Sequence, residues 1–512
     1  MSLHELLLAL RGMDALPIPI LLSSLIPGLI IAFLNEESVR TRRVLNLGGA
    51  GVKLALVGVM LWGVAEGERY EWRLTVLPGL EISLVGDSLA LLFITLSAVL
   101  WLVTTVYAIG YLEGSPNRNR FFSFFSLCVT ATVGIAFAGD LFTFIIFYEA
   151  LTWATYPLVV HRGSEAATRA GRIYLIYTVV GGTVLLFGIV WLYALTGTVT
   201  FVDGGALAHV PPEQYPALAG IFLVLLAGVG VKAALVPLHG WLPTAMVAPA
   251  PVSALLHAVA VVKAGAFGIV RILYSVFGIE LSWTLGMAYV VIGAAAVTIL
   301  YGSLRALYQD DLKRRLAFST VSQVSYIALG TAMSGPLGAA GGLVHLVHQG
   351  LMKITLFFCA GNLSETHGIS RVSEMAGIGR RMPWTMAAFS IGALGMIGLP
   401  PIAGFISKWY LGVGAIEAGL PWIIGLLIAS SLLNAAYFLP ILKTAWLDPL
   451  PDAPSGSGGG GFGIREAAPL LLLPTLATAA LSLGAGVLAE AEISPLRWVW
   501  MVVDRVFGLV PQ

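Results

Sequence analysis

Glu149, Lys232, Lys263, Lys353 and Lys408 lie inside stretches otherwise too apolar to hold a charge. A charged side chain at the centre of a membrane-spanning helix costs roughly 2.5–3.5 kcal/mol on insertion scales. Five of them point to a chain that moves protons or ions. Lysine and carboxylate groups can take up and release a proton, and desolvation brings a lysine's release toward neutral pH.

Each residue carries its own expectation. Glu149 sits midway along an apolar run at 139–160 and needs a nearby cation to stay ionised. Lys232, which follows the glycines of LLAGVGVK, is the natural partner. The two form either a switch that sets when Lys232 keeps its proton or an ion pair that only ties two helices together. His257 and Lys263 stand six residues apart in APAPVSALLHAVAVVKAG, about 9 Å along a helix axis, near enough for one or two waters to join them. His345, Gln349 and Lys353 recur every four residues and make a polar ladder on one helix face, which His348 widens. Interhelical hydrogen bonding is the plainer account of that ladder. Lys408, with Ser407 beside it, follows a proline-broken segment. Lys53 is expected to snorkel to the headgroups from the end of its run, and Asp310, Asp311, Lys313, Arg314 and Arg315 to form a solvated loop.

The elements that must position these groups are helices in a bilayer. The chain has 512 residues, 58% hydrophobic and 11% charged, with a mean hydropathy of +0.90. That composition marks a polytopic membrane protein rather than a soluble domain. Apolar runs of spanning length fall near 15–34, 45–64, 87–110, 121–138, 140–160, 173–196, 217–238, 253–278, 282–305, 315–334, 337–361, 385–416, 421–446 and 467–489. The expected fold class is therefore all-α, a polytopic membrane protein with about 14 transmembrane helices.

The seventh and twelfth runs are broken by proline and glycine, at VKAALVPLHGWLP after Lys232 and at GLPPIAGFISKW before Lys408. Each break is the fourth run of a group of five, helices 4–8 and 9–13. Five is odd, so consecutive copies must be inverted. This predicts two inverted five-helix repeats with broken helices 7 and 12. The domains expected are helices 1–3 at 1–120, the first repeat at 121–278, the second at 279–446, and a Gly/Ser-rich loop, last helix and tail at 447–512. The loop contains PSGSGGGG at 454–461, a flexible-linker composition.

Other signals set bounds. Glu5, Arg11 and Asp14 precede the first run where a signal peptide would carry a basic segment, so that run reads as a retained helix. Basic residues crowd alternate loops, among them Arg40, Arg43, Arg118, Arg120, Arg162, Lys313, Arg314 and Arg380, while the opposite loops hold few. The bias puts those loops inside and both termini outside, and it orients the chain rather than binding nucleic acid. Cys128 and Cys359 are isolated, which argues against a cysteine-ligated metal or iron–sulfur cofactor. No Walker pattern appears among the glycines, so ATP-driven transport by this chain is not expected.

Three long segments then carry a resemblance: residues 231–265, HLVHQGLMKITLFFCAG at 345–361, and GLPPIAGFISKW at 398–409. They are similar to the antiporter-like subunits shared by complex I, membrane-bound hydrogenases and Mrp cation/proton antiporters. The resemblance covers most of helices 4–13. It implies fourteen helices with inverted repeats, a glutamate–lysine pair at Glu149 and Lys232, a connecting Lys263, histidine and lysine at His345 and Lys353, and a terminal Lys408. With Thr244 and Val247, the segment WLPTAMVAPAPVSALLHAVAVVKAG is more similar to the Mrp D-type subunit than to redox-complex members, which often carry acidic residues there. Gln349 departs from the histidine of many relatives and cannot itself take up a proton. The function implied is proton translocation in a multisubunit Na+/H+ antiporter of the cell membrane, with protons, Na+, lipid and other membrane subunits as partners. A proton-pumping subunit of a quinone oxidoreductase or hydrogenase complex is the alternative. No cofactor and no identified sodium site are implied.

Overall fold

The computed structural model describes residues 3–77, 80–450 and 463–509. The expected linker at 454–461 lies outside the described residues. The chain runs through α1 (Leu3–Arg11), α2 (Pro17–Ala32), α3 (Val39–Ala65), a hairpin of β1 (Tyr70–Leu77) and β2 (Leu80–Gly86), α4 (Ser88–Tyr111), α5 (Arg118–Phe137), α6 (Leu141–Val159), α7 (Glu165–Thr196) and α8 (Tyr215–Lys232). It continues through the short α9 (Trp241–Thr244) and α10 (Ala250–Ala254), then α11 (Val261–Arg271), α12 (Ile279–Thr284), α13 (Met287–Leu307), α14 (Leu312–Ala332) and α15 (Pro336–His367). The last elements are α16 (Pro383–Ile397), α17 (Ala403–Glu417), α18 (Trp422–Trp446), α19 (Pro469–Val487) and α20 (Pro495–Phe507).

Eleven helical segments among the described residues are long and apolar enough to cross a membrane. Three of the fourteen apolar runs fall outside that set. The run at 15–34 holds the short α2, and the run at 385–416 is split into α16 and α17. The run at 315–334 holds α14, diluted by Ser319, Thr320, Ser322, Gln323 and Ser325. Two elements depart from the sequence expectation. The polar interruption at 65–86 is an antiparallel hairpin, pairing Tyr70 with Gly86 and Thr75 with Glu81, so the chain is not purely helical. After α19 comes the amphipathic α20, which buries Leu496, Val499, Val502 and Val503.

Helix starts are fixed locally. Asp87, Asp140, Ser164, Asp311 and Ser494 each accept a first-turn backbone N–H, satisfying a donor the helix cannot. Of the residues expected in a solvated loop at 310–315, Asp310 and Arg314 are exposed, whereas Lys313 and Arg315 are half-buried and tied to carbonyls of other segments. Lys313 donates to the Ala248 carbonyl at 2.7 Å, and Arg315 donates to Gln309 and Tyr437 carbonyls at 2.7 and 2.9 Å. Arg42 and Arg271 are both only 2% exposed. Arg271 forms a two-pronged ion pair with Asp87, at 2.7 and 3.1 Å.

At the centre lie two long buried rods. One is α15; the other is Ala250–Val276, formed by α10 and α11 with π-helical turns at Leu255–Val259 and Ile272–Val276. Around them, α7 packs on α8, α13 on α14, and both α14 and α17 on α15. Gly265 of α11 faces the backbone of Lys232 and Ala233 so closely that a Cβ would overlap it. That close approach seats the second rod against the end of α8.

Candidate proton-translocation axis

The first break leaves α8 just after Lys232. Ala234 takes a left-handed φ of 57°, which costs an alanine about 1–2 kcal/mol. The polar backbone groups around the break are recovered by side chains. Trp241 Nε1 donates to the Val231 carbonyl at 2.8 Å, and the Val236 amide donates to Thr298 Oγ1 at 3.0 Å. In a bilayer these partners must come from the protein or its waters, because lipid supplies none.

Lys232 is fully buried. Its ammonium donates to the Tyr148 carbonyl and lies 3.4 Å from the centroid of the Tyr148 ring. The expected ion pair with Glu149 is not formed: no carboxylate oxygen of Glu149 comes within 4.0 Å of Lys232 Nζ. Glu149 is half-buried and its Oε1 has no hydrogen-bond partner. The carboxylate occupies space left by Gly182 of α7, where a Cβ would overlap it. Neighbouring helices thus bring the two residues near each other, but their polar ends turn to different surroundings.

The His257–Lys263 expectation also changes. His257 sits in the π-turn, stacked on Phe357 at 4.5 Å, with neither ring nitrogen hydrogen-bonded. The helix is interrupted at Ala260 between the two residues, so a straight six-residue rise does not apply. Lys263 instead crosses to α15, donating to the Leu346 carbonyl at 2.7 Å and to Gln349 Oε1. Gln349 therefore serves as the acceptor for Lys263.

The ladder on α15 is present, and all its rungs are buried. His345 Nδ1 is 2.8 Å from Ser407 Oγ of α17. His348 has no partner at either ring nitrogen. Lys353 donates to the Leu316 carbonyl at 3.1 Å and to Ser319 Oγ at 2.7 Å, both on α14. From Ser319 the bonds go on: Tyr437 Oη lies 2.8 Å from Ser319 Oγ and 2.7 Å from Asn434 Oδ1. Asn434 Nδ2 donates to the Met396 carbonyl at 3.1 Å. Lys408 Nζ donates to that same carbonyl at 3.1 Å, to Ile397 O at 2.8 Å and to Ser431 Oγ at 2.9 Å. A carboxamide oxygen only accepts, so the Tyr437 proton goes to Asn434 and the Ser319 hydroxyl supplies the bond to Tyr437. The donors then run in one sense, from Lys353 through Ser319 and Tyr437 to Asn434.

Lys408 has a structural reason for its place. It binds the last carbonyls of α16, where the interruption at Gly398 leaves them without helical partners and where a cation complements the helix dipole. Lys232 likewise occupies the last turn of α8. Ser319, Tyr437, Asn434 and Ser431 were not singled out in the sequence. The signal available was polar residues inside the apolar runs at 315–334 and 421–446.

Beyond the spans, His161 lies in the turn between α6 and α7. Burial first, then the charges of Arg120 and Arg162, push its imidazole down to about 4. Among the described residues no group of three or more His, Cys, Asp or Glu side chains is placed to hold a metal ion.

Residues 138–434 match the family described as NADH:quinone oxidoreductase/Mrp antiporter, transmembrane. The match spans both broken helices and every charged residue of the axis. The chain belongs to this family. It is 40% identical to the N-type subunit of the NADH-quinone oxidoreductase of Desulforudis audaxviator, over 85% of this chain and 87% of the relative. It is 27% identical to the D-type subunit of the Na(+)/H(+) antiporter of Alkalihalophilus pseudofirmus, over 81% of this chain and 85% of the relative. In fold it is similar to a chain of the Mrp complex from Dietzia sp., with a TM-score of 0.85, 24% identity and 97% and 98% of the two chains covered. It is therefore an antiporter-like subunit of the kind found in Mrp and complex I-like assemblies, and a multi-pass membrane protein.

Proposed function

We propose that this chain is a proton-translocating subunit of a multisubunit Mrp-type Na+/H+ antiporter, working beside other membrane subunits. The observation that carries proton translocation is a series of lysines inside the bundle, Lys232, Lys263 and Lys353 buried and Lys408 half-buried. Each is held by neutral oxygens rather than by a carboxylate. A lysine paired with a carboxylate is kept charged; one held by carbonyls and hydroxyls can exist in either protonation state. In this reading Glu149 and Lys232 form the entry, approaching and parting without a permanent ion pair. Lys263, His257, His345 and His348 connect it to Lys353, and the Ser319–Tyr437–Asn434 string links Lys353 to the gate at Lys408. Asn434 orients that string but takes up no proton under ordinary conditions, so the final transfer to Lys408 passes through water.

The same proposal assigns fourteen spans, with helices 1–3 at 1–120, inverted repeats at 121–278 and 279–446, and a last segment at 447–512. Both termini lie outside, because the loops with Arg40, Arg118, Arg162, Arg314 and Arg380 are the basic ones. The chain transports rather than catalyses, and any redox chemistry belongs to a partner. Thr244 and Val247, where redox-complex members often carry acidic residues, favour the antiporter assignment.

A second reading rests on the 40% identity to an N-type quinone oxidoreductase subunit: the same axis, driven by electron transfer in neighbouring subunits. Purification of the intact complex with its subunits identified, followed by proton flux in proteoliposomes, separates the two. Flux driven by a sodium gradient supports the antiporter, and flux that needs a reduced donor and quinone supports the redox complex. Absence of proton flux under both conditions contradicts proton translocation itself.

A further inference from the structure

Lys53 does not snorkel as expected: it is fully buried near the middle of the 27-residue α3 and lies away from the central axis. Its Nζ donates to Ser24 Oγ of α2 at 2.7 Å, and Ser24 Oγ is 2.8 Å from Thr130 Oγ1 of α5. The ring of Trp101, on α4, has its centroid 5.1 Å from the ammonium. No carboxylate of the described residues comes within 4.0 Å of it. The groups that face Lys53 from α2, α4 and α5 are thus Ser24, Trp101 and Thr130, none of which titrates near neutral pH. A charge held only to tie helices together is a poor choice here, because apolar packing does that at least as well.

A polar column leads to it from the end that bears the basic loops. Arg42, Asn46 and Lys53 fall on one side of α3, and Asn119, Ser126 and Thr130 on one side of α5, since steps of four, seven and eleven residues return near the same helical angle. The two faces meet: Arg42 donates to Asn119 Oδ1, and Ser126 Oγ donates to Asn46 Oδ1 at 3.3 Å. The half-buried Glu36 stands at the mouth, accepting from the Arg118 and Asn119 amides at 3.2 and 3.1 Å. On α4, Ser97 Oγ, Trp101 Nε1 and Thr105 Oγ1 are buried without protein partners and recur every four residues along one face, the face that Trp101 turns to Lys53. Buried polar atoms so arranged need water as their partner.

We propose that Lys53 is a second proton-exchange site, reached from the basic-loop end along the Arg42–Asn46–Ser126–Thr130 column and separate from the central axis. The free amine takes a proton from hydronium, leaving water, and the ammonium later returns it to water, restoring the amine. Ser24 and Thr130 can relay, since a hydroxyl accepts one proton as it donates another. The inference rests on the reading of the chain as a proton translocator, so its test includes a control for that reading.

The intact complex is reconstituted in proteoliposomes, and proton flux is measured against pH for wild type, Lys53→Met, Lys53→Arg and Lys232→Ala. Lys53→Met keeps the stem without the amine. Lys53→Arg keeps the charge and donors but does not release its proton. Both are expected to assemble and to lower flux at least about fivefold with a flattened pH–rate profile. A purely structural lysine predicts that Lys53→Arg restores flux. Wild-type flux and pH profile in Lys53→Met, with Lys232→Ala impaired, overturn the proposal. Wild-type flux in Lys232→Ala contradicts the proton-translocation reading instead. Should Lys53→Met fail to assemble, Ser24→Ala and Thr130→Val decide: slowed flux supports the site, and unchanged flux in both overturns it.

Discussion

Tyr437→Phe removes one oxygen from the string between Lys353 and Lys408 and leaves the ring in place. The lost hydroxyl bonds Ser319 Oγ at 2.8 Å and Asn434 Oδ1 at 2.7 Å. Each partner keeps another contact, Lys353 Nζ on Ser319 at 2.7 Å and Ser303 Oγ near Asn434 Oδ1 at 3.4 Å. Folding should therefore lose only about 1–2 kcal/mol, the net worth of ordinary buried hydrogen bonds. Transport should lose more. A proton leaving Lys353 loses a hydrogen bond that assists a charged group, worth about 1.5–3 kcal/mol. If that loss falls on the barrier, it slows passage about 10- to 100-fold. The assay is dye-reported proton uptake by proteoliposomes holding the assembled complex, with subunit content checked by gel. Assembled Tyr437→Phe that runs at the wild-type rate, while Lys353→Ala does not run, would refute the string as the route.

Glu149→Gln should change thermal stability by less than about 1 kcal/mol, because no ion pair with Lys232 is there to break, yet slow proton flux at least about tenfold; a loss of stability of about 3–5 kcal/mol would mean a buried pair exists after all. Trp241→Phe removes one of two hydrogen bonds to the Val231 carbonyl, which keeps the Ala234 amide at 3.1 Å, and should cost about 0.5–1.5 kcal/mol, read as a lower melting temperature of the complex. His161 excludes, when folded, a proton that the unfolded chain binds below pH 6.5; its contribution is full above that value and is lost as pH falls toward about 4. Replacing it in His161→Gln should flatten the melting temperature of the complex between those two pH values, and an unchanged slope would contradict the assignment.

The charged positions of the axis were legible because a charge is rare enough in an apolar run to be informative alone. Their partners were not. Lys353 and Ser319 are 34 residues apart, and Ser319 and Tyr437 are 118 apart, so only tertiary packing selects those hydroxyls from many others. The breaks at Pro237 and Pro400 could be read from chemistry, since proline cannot continue a helix. Glu149 and Lys232 were rightly placed on neighbouring helices and wrongly paired, because spacing fixes a helix face but not where a flexible side chain ends. Lys53 was misplaced for a simpler reason. The apolar run begins near residue 45, whereas α3 begins at Val39, so a residue taken for a helix end lies near the middle. The strand signal at 70–77 is the alternation of YEWRLTVL, but Glu71, Arg73 and Thr75 make it a polar gap between apolar runs.

The central claim is that protons cross this chain through lysines held by neutral oxygens. Proton flux by the reconstituted complex carrying Lys353→Ala, against wild type at equal assembly, tests it most directly. The expected result is an assembled complex whose flux falls at least about 100-fold. Equal flux from the two would contradict the claim.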